Sequence, residues 1–117
     1  MDNSVKDRIR VLLNNIYTVM SDLQGKTMEQ FAESDLLVRA TCFSIVQVGE
    51  QMIQLEKKLK NNYPNIPWEE SRKLRNLIVH IYHKVDADQI YDTAVTDLPP
   101  LKEEFLKIRN DLLKTTN

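Results

Sequence analysis

The sequence predicts an all-α protein, an antiparallel bundle of four to five helices, and three observations predict it. Helix formers such as Leu, Lys, Glu, Gln and Met are frequent, while strand signals are almost absent. Only two glycines and four prolines punctuate 117 residues, so tight turns are scarce. Apolar residues recur at three- and four-residue spacing through most of the chain. With 42% hydrophobic residues, residues 1–117 read as a single domain with one core.

The first helix is expected from Ser4 to Leu23. Val5, Ile9, Leu12, Ile16, Met20 and Leu23 form one amphipathic stripe, widened by Leu13 and Tyr17. Asn3 or Ser4 serves as N-cap, and Gly25 ends the helix. Lys26 to Ser34 reads as a connector with a turn of helix at Met28 to Phe31. Ser34 or Asp35 then caps the longest helix, Asp35 to Asn61. Its apolar residues, among them Leu37, Ala40, Phe43, Ile45, Val48, Met52 and Leu55, cover more than one face, which predicts a central position. Gly49 in its middle costs about 1 kcal/mol against alanine and is read as permitting close contact with a second helix. Glu50 fits either a solvated or dimer-rim carboxylate or a partner for Arg72 or Arg75.

Asn61 to Pro67 is a turn fixed by two prolines. Pro67-Trp68-Glu69-Glu70 opens a fourth helix, with proline and two acids suited to its positive end and Trp68 as a packing anchor. Leu74, Leu77, Ile78, Ile81 and Val85 give that helix an apolar stripe. Asp86 caps a fifth helix, so the fourth stops near Ile81 to Lys84. Ile90, Tyr91, Ala94 and Val95 are the fifth helix's apolar side. Asp97-Leu98-Pro99-Pro100 interrupts it, with Asp97 as a new cap, and Leu101, Phe105, Ile108 and Leu112 continue beyond. The tail from Lys114 is expected to fray.

Charge excludes a general polyanion binder. The formal net charge is −1, whereas nucleic-acid binders are usually strongly basic, so any such site must be local. From Glu56 to Lys84, seven Lys and Arg stand against Glu56, Glu69 and Glu70. That excess suits either a solvated helical face with paired arginines or a local anion site. A single cysteine, Cys42, excludes an internal disulfide. It reads as a buried small hydrophobe, with a reactive thiol as the other option. The polar N-terminus shows no signal peptide. No apolar run approaches the roughly 20 residues that span a bilayer. The expectation is a soluble cytoplasmic protein without membrane association.

Chemistry concentrates in Arg72 to Val85, which holds both histidines of the chain. Arg72, Asn76, His80 and His83 fall within about 80° on an ideal helix, making a polar strip. Arg75 and His80 are about 140° apart by the same arithmetic. They meet only if the long arginine arm reaches round, if the helix distorts near its end, or if two copies face each other across a two-fold axis. A histidine at the negative end of a helix is biased toward its protonated form and can move protons near neutral pH. Arginine grips phosphate with two hydrogen bonds, and Asn76 can hold a ribose hydroxyl or orient the imidazole. Such groups can cleave RNA without a metal or other cofactor. One histidine takes the 2′-hydroxyl proton, the oxygen attacks phosphorus, and Arg75 stabilises the developing charge. His83 also fits a plain C-terminal capping residue, and Arg72 a solvated or substrate-holding one. Neither histidine has a carboxylate or cysteine partner at ligand spacing, so no metal site is expected.

Arg75-Asn76-x-x-x-His80-x-Tyr82 resembles the signature of the HEPN superfamily, and most closely its HepT-like branch. Val48-Gly49-Glu50, Ile66-Pro67-Trp68, Val85-Asp86 and Asp97-Leu98-Pro99-Pro100-Leu101 also look like that family. The residue between His80 and Tyr82 is Ile81 here, where family members often carry an acidic or polar one. The resemblance implies an all-α homodimer whose motif helices meet in a groove, and a metal-independent endoribonuclease acting as a toxin. Arg75 and His80 would then be catalytic, with Asn76 in support. It also implies a partner, an MntA-like nucleotidyltransferase antitoxin that transfers AMP to Tyr82. Without the resemblance, Tyr82 reads equally well as a core or interface aromatic. A second reading of the chain is a non-catalytic dimeric helical module that binds a nucleotidyltransferase or a nucleotide.

Overall fold

A computed structural model describes residues 3–79 and 86–115. Within them the chain forms six α-helices and no strand. They are α1 (Asn3–Leu23), α2 (Met28–Ala32), α3 (Asp35–Leu59), α4 (Glu70–Asn76), α5 (Ala87–Asp92) and α6 (Leu98–Thr115), with a π turn, Thr93–Asp97, between the last two. The all-α expectation holds. None of the described helices is long and apolar enough to cross a membrane.

Two long faces make the core. Helix α1 buries Val5, Ile9, Leu12, Ile16, Val19 and Leu23, an unbroken alternation of four and three residues, and Leu13 beside them. Val19 rather than Met20 completes the stripe, and Tyr17 stays 42% exposed instead of widening it. Helix α6 answers with Leu98, Leu101, Phe105, Ile108 and Leu112. Both pack through side chains that recur on one helical face. Gly25 adopts φ +75°, the left-handed conformation that lets a helix stop without a Cβ clash.

Helix α2 is secured by a capping box. Thr27 Oγ1 accepts from the Gln30 amide and Gln30 Oε1 accepts from the Thr27 amide, satisfying two donors that a helix start leaves over. Phe31 packs against the Tyr91 ring, and the Tyr91 hydroxyl donates to the Lys26 carbonyl at 2.7 Å. This joins the connector to α5. Ser34 caps α3 by accepting from the Leu37 amide.

Helix α3 is central, as expected, and contacts α1, α2, α4 and α5. It is not buried all round. Val38, Cys42, Ile45, Val48, Met52, Leu55 and Leu59 are buried, but Ala40 is exposed and Phe43 is 62% exposed. Those residues and Leu36 lie on the side of α3 that α1 and α4 leave open.

Trp68 anchors the approach to α4. It is 2% exposed, its indole N–H donates to the Tyr63 carbonyl at 2.9 Å, and its ring meets Phe105 edge-on. The segment Pro67 to Glu69 is a turn rather than helix, so α4 starts three residues later than the proline pattern suggests. The Leu77 amide bonds to the Leu74 carbonyl, one residue short of the α-helical partner. Regular helix thus ends at Asn76, and the expected continuous helix to Ile81 or beyond is interrupted at Leu77 and Ile78. Leu74 and Leu77 are buried, whereas Ile78 is 37% exposed.

Asp86 caps α5 as expected, accepting from the amides of Asp88 and Gln89. The interruption at Asp97 takes a different form. Pro99 and Pro100 have no N–H to offer the preceding turn, and the helix widens into the π turn just before them rather than restarting from a cap. Asp97 instead accepts from Lys73 at 3.3 Å, tying this turn to α4. Val95, expected on the apolar side, is 45% exposed.

Candidate functional site

The site is built where α3 and α4 cross. A Cβ on Gly49 would lie 2.7 Å from the Ser71 carbonyl oxygen, 2.7 Å from the Arg75 amide nitrogen and 3.1 Å from Leu74 Cβ. Only a residue without a side chain admits the α4 backbone this closely. The close contact read from Gly49 is therefore present. It sets the last turn of α4 against the middle of α3 and brings Arg75 beside Glu50, the next residue after the glycine.

Arg75 Nε stands 3.9 Å from Glu50 Oε1, with the side chains 42% and 44% exposed. Of the roles open to Glu50, the pairing with Arg75 is the one observed. Glu70 pairs with Lys73 instead. Arg72 and Asn76 are exposed on the same short helix, and no described acid pairs with Arg72. His80, Tyr82 and His83 lie outside the described residues. The structure thus places Arg72, Arg75 and Asn76 together on the exposed end of α4, and the meeting of Arg75 with His80 is not among its described contacts. The change of helix geometry after Asn76 is one of the three ways by which the two could share a face.

An open groove of about 620 Å³ lies alongside, lined by Phe43, Gln47, Glu50, Gln54 and Ile78 among others. Phe43, Ile78 and Val79 leave large apolar side chains in solvent, and the first two line this groove together with Glu50. The sequence reading assigned Phe43 to the core and missed this surface. The signal was present: Leu36, Phe43, Gln47, Glu50 and Gln54 recur at seven, four, three and four residues. Phe43 is therefore in register with the polar set of α3, not with the buried one. A separate cavity of about 310 Å³ between α1 and α6 includes none of the motif residues. Among the described residues, no three His, Cys, Asp or Glu side chains gather into a metal cage.

Cys42 closes the site from beneath. Its thiol is buried and donates to the Leu77 carbonyl at 3.6 Å, just beyond the end of α4. Burial pushes its pKa from 9.0 up to about 11, which fits the small buried hydrophobe and not a reactive thiol.

The family model described as "Ribonuclease HepT-like" matches residues 10–108. Curated relatives agree. A Methanocaldococcus jannaschii protein named "Gamma-glutamylcyclotransferase and putative RNase MJ0434" is 31% identical over all of this chain, which spans only 53% of that protein's length. "Putative RNase MJ0125" of the same organism is 29% identical over 92% of this chain and 96% of its own. "Probable ribonuclease HepT" of Thermococcus cleftensis is 29% identical over 83% of this chain and 92% of its own. No solved structure matches the chain.

Proposed function

The chain belongs to the HepT-like ribonuclease family, and from that premise we propose that it is a metal-independent endoribonuclease. The observation that carries the reading is the family match over residues 10–108, which includes the whole Arg75 to Tyr82 signature. The exposed pair Arg75 and Asn76 at the end of α4 supports it.

In this reading RNA lies in the groove beside α4. His80 removes the proton of a 2′-hydroxyl, and the oxygen attacks the adjacent phosphorus. A new 2′-oxygen–phosphorus bond forms, the bond to the 5′-oxygen breaks, and that oxygen leaves as a hydroxyl by taking a proton from solvent water. Arg75 neutralises the charge growing on the non-bridging oxygens. Asn76 holds the ribose or the imidazole. Arg72 and His83 line the path of the strand. All the groups needed are side chains, so the step runs without a metal or other cofactor.

The exposed apolar residues Phe43, Ile78 and Val79 support a homodimer in which a second copy covers this face and the two α4 ends share one groove. The remaining parts of the reading rest on the family resemblance. The protein acts as the toxin of a toxin–antitoxin pair in the cytoplasm. Its antitoxin, an MntA-like nucleotidyltransferase, transfers AMP to Tyr82. A bulky anion there would repel an RNA phosphate from His80.

The test is RNA cleavage by the purified protein in excess EDTA, with His80→Ala and Arg75→Ala alongside. Cleavage by the wild type, lost in both variants with helical content intact, supports the reading. Equal cleavage by all three points to another site or a contaminant. No cleavage by unmodified wild type favours a non-catalytic module that binds a nucleotidyltransferase or a nucleotide.

A further inference from the structure

Glu50 is the one acid paired with Arg75 among the described residues. The pairing has a direction. Its carboxylate faces Nε, the stem side of the guanidinium, and the far edge with its two Nη groups has no described partner. That far edge can grip a phosphate through two parallel hydrogen bonds. The arrangement is also held from behind. Gly49 locks the α3 and α4 backbones together at the positions next to and opposite this pair, so both side chains spring from a fixed base.

The separation of 3.9 Å is that of a loose, half-exposed ion pair rather than a hydrogen bond. Such a pair adds little stability. What it does is restrict an arm with many rotatable bonds. An arginine already ordered toward its target loses less freedom when the reaction begins. The negative charge of Glu50 does not attract RNA, so the benefit of the pair belongs to the chemical step and not to substrate capture.

We propose that Glu50 is a positioning residue for Arg75, holding the guanidinium by its Nε side so that its Nη edge faces the scissile phosphate. The inference rests on the ribonuclease reading above. It predicts a split between kinetic parameters. Glu50→Ala lowers kcat about tenfold, the scale of a modest loss of orientation. It leaves KM unchanged or lower, because a negative charge near the RNA is gone. Glu50→Asp, which keeps the carboxylate one methylene shorter, recovers part of kcat. A purely structural role would lower both variants through loss of folded protein and leave the parameters of the folded fraction alone.

The experiment combines steady-state cleavage of a short RNA with the heteronuclear NOE of the Arg75 Nε–H group in 15N-labelled protein. The expected result is a high NOE in wild type, an intermediate one in Glu50→Asp, a low one in Glu50→Ala, and a kcat that follows it. An NOE indifferent to Glu50→Ala overturns the inference. So does a wild-type kcat in Glu50→Ala while Arg75→Ala is inactive, and in that case the ribonuclease reading survives. A wild type that cleaves no RNA brings down the ribonuclease reading and this inference with it.

Discussion

Gly49 and Ser71 are in backbone contact: a Cβ on the glycine would sit 2.7 Å from the Ser71 carbonyl oxygen, and as close to the amide nitrogen of Arg75. Neither neighbour is a flexible side-chain tip that could swing away. Gly49→Ala therefore forces α3 and α4 apart. Overpacking of this kind costs about 1–3 kcal/mol, opposed by roughly 1 kcal/mol of better helix propensity. The expected outcome is a net loss of stability, read as a lower urea midpoint at unchanged slope. RNA cleavage should fall further than stability does, because the displacement is delivered to Arg75. A variant as stable and active as wild type would mean that the helices yield here at little cost.

Much of this crossing was legible before any coordinates. A glycine in the middle of a long apolar helix carries a propensity penalty that only a close neighbour explains. The caps at Ser34 and Asp86 and the stripes of α1 and α6 were equally readable, since each rests on residues within a few positions of one another. What periodicity could not supply was the side on which a neighbour would be missing. Phe43 and Val95 look like core by composition and are exposed because none of the described helices lies over them. The end of α4 was misread for a related reason. Its apolar stripe continues past Asn76, but the Leu77 amide takes the nearer Leu74 carbonyl, which the spacing of apolar residues does not signal. The π turn escaped notice because Asp before Leu-Pro-Pro satisfies a cap motif equally well, and it was Lys73, distant in sequence, that took the Asp97 carboxylate.

Cys42 should behave as a silent thiol. With its pKa raised from 9.0 to about 11 by burial, its thiolate fraction near pH 8 falls about 100-fold below that of a free cysteine, one decade per pKa unit. Thiol titration of the native protein should be slow and become rapid only in denaturant. The sign for stability follows from the same shift. The folded state favours the neutral thiol, so below pH 9 both states hold the proton and the contribution is fully present. Between about 9 and 11 the unfolded chain ionises first, and that stability is lost as pH rises. The thiolate also cannot donate to the Leu77 carbonyl. Cys42→Ala removes this term, so the stability gap between wild type and variant should narrow across that window in paired denaturation curves. A constant gap from pH 8 to 11 would contradict the shift.

Phe43 offers the sharpest test of the shared groove. It is 62% exposed on α3 and lines the same groove as Glu50 and Ile78. A large apolar side chain left in solvent in a groove it shares with Ile78 is better explained by a second copy of the chain than by the needs of one bundle. Phe43 lies mostly in solvent, so with Phe43→Asp the fold should persist with its helical content and urea midpoint close to wild type at low protein concentration. Across a two-fold axis the substitution acts twice and adds like charges to an apolar contact. The expected outcome in sedimentation velocity is a shift from dimer to monomer at micromolar concentration, with RNA cleavage reduced in step. A dimer that survives Phe43→Asp would locate the interface away from this face. A monomeric variant with full cleavage would separate dimerisation from catalysis and leave Arg75, Asn76 and His80 of one copy to carry the reaction alone.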